Sequence, residues 1–269
     1  MSKPPPRILS IAGSDSSGGA GIQADIKTIT MLGGYAMTAI TAVTAQNSVG
    51  VQAIVPLTGD FVATQARSCL DDIGADAIKI GMLHDAGVIA AVAEVLESLD
   101  PGLPVVVDPV MVATSGAALI TQDAIDELRH RIFPRAHVIT PNLPELRLLS
   151  DRALQTTTEM ESAAASLAAE FGCHVLAKGG HTDDERIIDV LVASDGRATH
   201  HEHRRIATRH THGTGCTLSS AIATLIGHGQ SVEHAVALGR QFVLRAIEEA
   251  PGLGAGHGPM GHHAVRRLD

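Results

Sequence analysis

Short apolar runs with β-forming residues alternate with segments of helical periodicity along most of this 269-residue chain. The run 105–107 (Val-Val-Val) is typical of a strand that is buried on both faces, whereas segment 121–132 has the spacing of an amphipathic helix. Parallel strands need a crossover between them, and a helix is the usual one. The alternation therefore predicts an α/β protein with a mainly parallel central sheet between layers of helices.

The remaining segments complete this architecture. The runs 187–193 and 198–206, separated by Ser-Asp-Gly, predict a β-hairpin on the edge of the sheet. A strand is predicted over 36–45 and another over 51–55. Because no Pro/Ser-rich linker and no fixed-period repeat interrupts the chain, we expect one domain over residues 1–269. The Gly- and His-rich tail from 251 to 269 is expected to be loose.

Composition argues against several classes of function. The chain has 20 basic and 29 acidic residues, no Trp, one Tyr and four Phe. A net charge of −9 disfavours nucleic acid as a partner, and the shortage of aromatic side chains disfavours base stacking. No apolar stretch approaches the ~18 residues of a membrane span, and the N-terminus lacks the pattern of a secretory signal. We therefore expect a cytoplasmic protein with no nucleic-acid or membrane partner.

Three widely separated cysteines support neither a zinc site nor a disulfide framework. The chain also lacks a Walker P-loop and the GxSxG and HExxH motifs.

The strongest local motif is Gly213-Thr214-Gly215, which runs into an apolar helix. Glycines allow several backbone N–H groups to converge, and a helix N-terminus adds partial positive charge, so the motif predicts an anion hole. The alternative is an ordinary helix start capped by a hydroxyl side chain.

Cys216 follows in the first turn of the same helix. The helix dipole and the exposed amides are expected to lower the pKa of its thiol, which would suit a base or a nucleophile. The alternative is a small buried apolar residue, which is a common role for a free cysteine.

Asn142 and Glu145 stand three residues apart where a helix opens after a buried strand. Such a pair can share one Mg²⁺, directly or through water. The spacing also fits a capping box, with Asn142 as the N-cap and Glu145 reaching back to it, and the residues alone favour the cap.

Polar or glycine-rich residues follow six of the predicted strands. Because ligands bind at the carboxyl ends of parallel strands, these residues predict a pocket at one edge of the sheet. They are the loop from Gly13, Gln46-Asn47, Gly81-Met82, Asp108-Pro109, Asn142 and Lys178-Gly179-Gly180.

Taken in order along almost the whole chain, seven segments resemble one family, the hydroxymethylpyrimidine/phosphomethylpyrimidine kinases of thiamine biosynthesis in the ribokinase-like superfamily. The segments are 11–25 (IAGSDSSGGAGIQAD), 44–47 (TAQN), 79–82 (KIGM), 108–111 (DPVM), 140–145 (TPNLPE), 178–181 (KGGH) and 211–220 (THGTGCTLSS). The resemblance implies a ribokinase-like three-layer αβα sandwich.

The same resemblance implies an activity and a set of ligands. The activity is ATP- and Mg²⁺-dependent phosphorylation of 4-amino-5-hydroxymethyl-2-methylpyrimidine to its monophosphate and then to the diphosphate. The partners are the small pyrimidine, ATP and a second copy of the chain in a homodimer.

The resemblance also implies roles for residues at matching positions. Gln46 and Asp25 would hydrogen-bond the aminopyrimidine edge, and Gly13 and Met82 would line its pocket. Asn142 and Lys178 would bind ATP, and Glu145 and Asp108 would serve the metal. Gly213, Thr214 and Gly215 would supply the anion hole beside Cys216.

Two other functions stay open. A pyridoxal kinase of the same superfamily typically has Asp where Cys216 stands, so the cysteine favours the pyrimidine kinases. A pyrimidine-binding protein without catalysis is disfavoured, because the Gly-Thr-Gly-Cys and Asn-Leu-Pro-Glu segments are intact.

Overall fold

A computed structural model describes residues 4–111, 121–180 and 185–265. The strands are β1 (Arg7–Ala12), β2 (Tyr35–Ile40), β3 (Ala42–Asn47), β4 (Gly50–Pro56), β5 (Ala77–Ile80), β6 (Val105–Val107), β7 (Val138–Ile139), β8 (His174–Ala177), β9 (Arg186–Val192) and β10 (Ala198–Arg204). Eight of these strands form one sheet in the order β10-β9-β8-β7-β6-β5-β1-β2. Six of them are parallel to one another: β1, β2, β5, β6, β7 and β8. Strands β9 and β10 form an antiparallel hairpin at one edge, beside β8. The mainly parallel sheet and the edge hairpin predicted from the sequence are thus confirmed.

Helices cover both faces of the sheet, which makes the three layers. The helices are α1 (Gly21–Met31), α2 (Gly59–Asp72), α3 (Ala86–Glu97), α4 (Gln122–Glu127, continued by a π-helical turn), α5 (Leu143–Ser150), α6 (Thr157–Phe171), α7 (Thr214–Gly227) and α8 (Val232–Glu248). Neighbouring residues of a strand point to opposite faces, so Ile8 packs with α1, α7 and α8, and Leu9 packs with the other helices. None of the helices in the described ranges is long and apolar enough to cross a bilayer.

The strand predicted over 36–45 is wrong, because the chain leaves the central sheet at Thr41. The Thr41 N–H donates to Ala12 O and its hydroxyl donates to Met82 O, which fixes a break between β2 and β3. Strand β3 then pairs with β4 in a separate two-stranded antiparallel sheet. Gln46 therefore lies in this small sheet and not at the end of a strand of the central sheet.

The prediction of a loose tail is wrong for the end of the described chain. Met260, His262 and Val265 are buried, and the two apolar ones pack with Phe242 of α8. His262 Nε2 lies 2.8 Å from the hydroxyl oxygen of Thr217. The apolar residues are too few and too scattered to form a periodic pattern, so the sequence does not show that this segment has a docking surface.

Candidate active site

A cavity of about 780 Å³ opens where the strands β1, β5, β6, β7 and β8 end. The sheet topology brings the loops after these strands together with the first turn of α7 and the inner face of the β3–β4 sheet. Eleven of the twelve site residues predicted from the sequence line the cavity: Gly13, Gln46, Met82, Asp108, Asn142, Glu145, Lys178, Gly213, Thr214, Gly215 and Cys216. The twelfth is Asp25.

The Gly213–Gly215 segment forms the N-terminus of α7 at the cavity wall. Gly213 is the N-cap with φ 85°, and a Cβ on it would lie 1.9 Å from Gly19 O, so only glycine fits there. No side chain caps α7. The first-turn N–H groups of a helix have no intrahelical partner, so this turn is equipped to bind an anion.

Cys216 lines the cavity, but its thiol differs from the prediction. Burial raises its pKa to about 11, and the nearby charges of Asp25 and Asp108 add to the rise. The ammonium of Lys79 acts in the opposite direction without reversing the shift. The expected lowering of the pKa by the helix N-terminus is therefore wrong, because desolvation outweighs it. The thiol is neutral at pH 7.

Lys178 and Asp108 stand beside the anion hole as an ion pair. Lys178 Nζ lies 2.8 Å from Asp108 Oδ1, which also accepts a hydrogen bond from Thr140. A Cβ on Gly215 would lie 3.2 Å from both the Lys178 Nζ and the Asp108 Oδ2 atoms. A cation and a carboxylate thus flank the start of α7.

Asn142 and Glu145 form the capping box of α5. Asn142 Oδ1 accepts from the Glu145 N–H at 2.9 Å, and Glu145 Oε2 accepts from the Asn142 N–H at 2.8 Å. The cap predicted from the residues alone is confirmed. Burial, with the negative charge of Asp108, raises the pKa of Glu145 to about 7, although Lys178 opposes the shift.

The oxygen atoms of Asp108 and Glu145 suit a magnesium ion. In the described ranges, no three His, Cys, Asp or Glu side chains come close enough to form a metal cluster. Magnesium is usually held by one or two carboxylates, with substrate phosphates and waters completing its shell. Two carboxylates beside an anion hole fit that pattern.

Asp25 does not reach the cavity, so its predicted contact with the pyrimidine is not supported by the geometry. The side chain is wholly buried, and its carboxylate accepts from Lys79 at 2.9 Å, Ser10 at 2.6 Å and Ser220 at 2.7 Å. Because its carboxylate oxygens are occupied by these buried partners, Asp25 stabilises the elements around the cavity and does not line it.

Gln46 faces the cavity together with Thr44 and Met82. A Cβ on Gly13 would lie 2.4 Å from the terminal methyl of Met82, so glycine lets the methionine pack across the pocket. The backbone N–H of Gln46 donates to Ser16 Oγ at 2.8 Å, which ties β3 to the loop after β1.

Sequence reasoning missed two parts of the site. Asp15 and His212 are in contact inside it at 2.8 Å, although they are 197 residues apart, and no local pattern indicates such a pair. The second part is a half of the cavity between the edge hairpin and α8. Its lining includes five apolar side chains, together with the charged Asp189 and Arg240: Ile187, Ile206, Val243, Leu244 and Ile247. His181, which belongs to one of the motifs, lies outside the described residues.

The sequence is similar to one family over most of its length. The sequence profile described as phosphomethylpyrimidine kinase matches residues 15–261. A hydroxymethylpyrimidine/phosphomethylpyrimidine kinase of Streptomyces coelicolor is 46% identical, covering 96% of this chain and 94% of the relative. A Bacillus subtilis kinase of the same description is 40% identical, covering 97% of this chain and 96% of the relative.

Solved structures with the same fold include a phosphomethylpyrimidine kinase and pyridoxal kinases, two of them with a bound nucleotide. An ADP complex of Bacillus subtilis pyridoxal kinase has a TM-score of 0.88 at 37% identity, covering 97% of this chain and 99% of that one. Phosphomethylpyrimidine kinase from Clostridium difficile has a TM-score of 0.79 at 37% identity, covering 90% and 99%. Staphylococcus aureus pyridoxal kinase with AMP-PCP and pyridoxal has a TM-score of 0.88 at 32% identity, covering 98% and 97%.

Proposed function

The chain belongs to the hydroxymethylpyrimidine/phosphomethylpyrimidine kinases of thiamine biosynthesis, and we propose that its cavity holds the pyrimidine and ATP on either side of the Gly213–Gly215 turn. Such a kinase phosphorylates 4-amino-5-hydroxymethyl-2-methylpyrimidine and then its monophosphate. The observation that carries the arrangement is that one cavity contains the anion hole, the Lys178–Asp108 pair and Gln46.

The pyrimidine belongs beside the β3–β4 sheet. Gln46 offers a donor and an acceptor, which match an amino group next to a ring nitrogen. Met82 and Gly13 supply an apolar surface for the ring. One ring site of this kind serves both phosphorylations, because the ring is the same in the alcohol and the monophosphate.

The nucleotide belongs in the other half of the cavity. The apolar side chains near α8 suit an adenine ring, and Lys178 and Asn142 stand where a triphosphate would meet the anion hole. Asp108 and Glu145 would hold Mg²⁺, which when bound neutralises charge on the phosphates. Solved relatives with ADP and AMP-PCP support a nucleotide in this fold.

The transfer step needs little covalent chemistry from the protein. The hydroxymethyl oxygen attacks the γ-phosphorus, the bond from that phosphorus to the bridging oxygen breaks, and ADP leaves with the electron pair. The hydroxyl proton passes to the thiolate form of Cys216, which makes up about 10⁻⁴ of the protein at pH 7 if the pKa is about 11. Since the transition state is loose, positioning and the amides around Gly215 carry most of the catalysis.

A coupled assay of ADP formation with three substrates tests this function. We expect turnover of hydroxymethylpyrimidine and of its monophosphate, with slower turnover of pyridoxal. Turnover of pyridoxal alone would instead make the chain a pyridoxal kinase, a function that its structural neighbours keep open. No turnover of any of the three would leave a binding protein.

We further propose that the chain forms a homodimer through the outer face of the β3–β4 sheet. Val43 pairs with Val55 and Ala45 with Ala53 on the face turned away from the cavity, and all four are exposed. A row of apolar residues on a small exposed sheet is typical of an interface. Light scattering tests this: Val43→Lys should convert a wild-type dimer to a monomer, and a monomeric wild type would contradict the proposal.

The three cysteines are free thiols. Free thiols and the use of ATP both suit a reducing compartment, so we propose that the chain acts in the cytoplasm.

A further inference from the structure

The chain after α8 forms a loop that returns to the same helix. The loop covers residues 250–261, and its end is fixed at α8, because the Gly261 N–H donates to Ala246 O at 2.7 Å. A Cβ on Gly261 would lie 2.0 Å from Glu249 O, so only glycine can approach the end of the helix this closely. A compact loop whose two ends meet in this way has a defined position on the protein, and such loops are often functional.

The far side of the 250–261 loop contacts the turn of the β3–β4 hairpin. This turn consists of Ser48 and Val49, between the last residue of β3 and the first residue of β4. The Gly256 N–H donates to Ser48 Oγ at 3.2 Å. A Cβ on Gly256 would lie 2.2 Å from Ser48 O and 3.0 Å from Val49 Cα. Both atoms belong to the backbone and cannot rotate away, so the contact requires glycine at position 256.

The same loop contacts the segment that leads into the anion hole. Gly258 O accepts from the His212 N–H at 3.3 Å, and Pro259 pairs with His212 in a β-bridge. His212 directly precedes Gly213, the N-cap of α7. A Cβ on Gly258 would lie 2.2 Å from His210 Nδ1. One loop therefore touches both the hairpin turn and the segment before the anion hole.

The β3–β4 hairpin depends on such contacts for its position. Within the described ranges, its two strands pair with each other and with no other strand. A two-stranded hairpin alone is marginally stable, so contacts with the rest of the protein must hold it in place. Ser16 holds β3 at Gln46, where the Ser16 hydroxyl oxygen accepts from the backbone N–H at 2.8 Å. The 250–261 loop holds the turn, which follows directly along the chain.

We propose that the 250–261 loop is a positioning segment for the pyrimidine, because it holds the hairpin turn, and with it Gln46, at a fixed distance from the anion hole. This inference rests on the pyrimidine kinase function proposed above. The loop acts from outside the cavity, since residues 250–261 are not part of the cavity lining. A turn that is pushed outward carries the Gln46 carboxamide away from the edge of the ring. The nucleotide half, lined by α8 and the edge hairpin, stays in place.

Gly256→Ala is the first variant that tests this role. The added methyl group collides with the backbone of Ser48, so the turn or the loop must move. We expect the KM for the alcohol and for the monophosphate to rise about tenfold or more, because small displacements of a group that holds the substrate are costly. The KM for ATP should stay within about twofold of the wild-type value.

Gly50→Ala is the matched control for this variant. It adds the same methyl group to the same hairpin, at the start of β4, where no atom beyond the neighbouring residues lies within 4 Å. All three KM values should therefore equal those of the wild type. If the loop had a purely structural role, Gly256→Ala would instead lower Tm and raise the KM for ATP together with the KM for the pyrimidine.

Ser48→Ala is a second and milder variant, which decides if Gly256→Ala does not fold. It removes the acceptor of the Gly256 N–H and leaves the backbone of the turn intact. We expect the KM for the pyrimidine to rise about two- to tenfold, which corresponds to the loss of one hydrogen bond. An unchanged KM for the pyrimidine in Gly256→Ala, or in Ser48→Ala if the first variant does not fold, would overturn the role of the loop. An equal rise in the KM for ATP would overturn it as well.

A wild type that phosphorylates no pyrimidine would overturn the proposed function itself. Hydrogen exchange then tests the loop without any substrate. The backbone amides of β3 and β4 should exchange about tenfold faster or more in Gly256→Ala, or in Ser48→Ala if the former does not fold, than in the wild type and in Gly50→Ala. Equal exchange rates in all these proteins would show that the loop does not hold the hairpin.

Discussion

Lys79 and Asp25 form an ion pair inside the protein, with Nζ 2.9 Å from Oδ2 and neither side chain exposed to solvent. Asp25 belongs to α1 and also accepts hydrogen bonds from Ser10 of β1 and Ser220 of α7. One carboxylate thus joins the sheet to the two helices beside the cavity. Its role is to hold α7, which carries the anion hole, against the strand that carries Lys79.

The first prediction is that Asp25→Ala destabilises the fold by about 3–5 kcal/mol, because it leaves the Lys79 ammonium buried without a partner. Urea unfolding measures the change. The double variant Asp25→Leu with Lys79→Met should regain much of the loss, since replacing both charges removes the unpaired ion. A single variant of normal stability with a raised KM for the pyrimidine would instead return Asp25 to the substrate-contacting role that the sequence predicted.

The parts of the fold that could be predicted from sequence are those that local patterns determine. The Val105–Val107 strand, the edge hairpin and the capping box at Asn142 each depend on residues close together in the chain. The ends of parallel strands meet at one edge, so the cluster of Asp108, Lys178 and the anion hole also followed from the predicted topology.

The errors arose where contacts between distant residues decide the outcome. Asp25 ends a segment whose resemblance to the family implies a contact with the substrate. In the structure, its carboxylate instead accepts a hydrogen bond from Lys79, which is 54 residues away. The dipole argument for Cys216 ignored burial, which is set by the whole fold and raises the pKa of the thiol. The break at Thr41 depends on its bond to Met82 O, which a strand pattern does not show.

The second prediction concerns Cys216. If its thiolate takes the hydroxyl proton, Cys216→Ala should lower kcat about 10²-fold and leave the KM for ATP unchanged, because backbone amides form the anion hole. Wild-type kcat should rise as pH increases from 7 toward the thiol pKa of about 11, whereas the variant should lack this rise. Steady-state kinetics over this pH range measure both effects.

Cys69→Ala is the control for this prediction, because Cys69 lies on α2 and does not line the cavity. It should retain the wild-type pH profile. A Cys216→Ala protein with near-normal kcat would reduce Cys216 to a packing residue.

The third prediction is that Gln46→Leu raises the KM for both the alcohol and its monophosphate by about 5- to 150-fold. Leucine leaves the polar edge of the ring desolvated and unpaired, at a cost of roughly 1–3 kcal/mol. ATP affinity measured without pyrimidine should not change. Gln52→Leu is the matched control, since Gln52 is exposed on the adjoining strand β4 and bonds only near the turn, to Asn47 and Gly50. A fall in ATP affinity and in Tm alongside KM would mean that Gln46 only ties down the loop after β1, and an unchanged KM for the alcohol would refute its role.

His262 fixes the C-terminal segment to α7 and makes this contact sensitive to acid. Its ring contacts the Thr217 hydroxyl one residue after Cys216, and burial lowers the pKa of the imidazole to about 4 from an ordinary value of 6.5. The folded protein therefore favours the neutral ring. The stability that depends on this ring is complete above pH 6.5 and is lost as pH falls from 6.5 toward 4.

The last prediction is that His262→Gln removes this part of the acid sensitivity, because glutamine can bond to Thr217 but does not titrate. The free energy of unfolding of the wild type should fall between pH 7 and 4 by up to about 3 kcal/mol more than that of the variant. Urea unfolding of both proteins at each pH measures this difference in the free energy of unfolding. Contributions from groups that the two proteins share cancel when one value is subtracted from the other. His234→Gln is the control, since that side chain is exposed on α8, its ring contacts Gln230, and the variant should behave as the wild type does. Parallel pH profiles for wild type and His262→Gln would show that the imidazole is already free to take up a proton in the folded state.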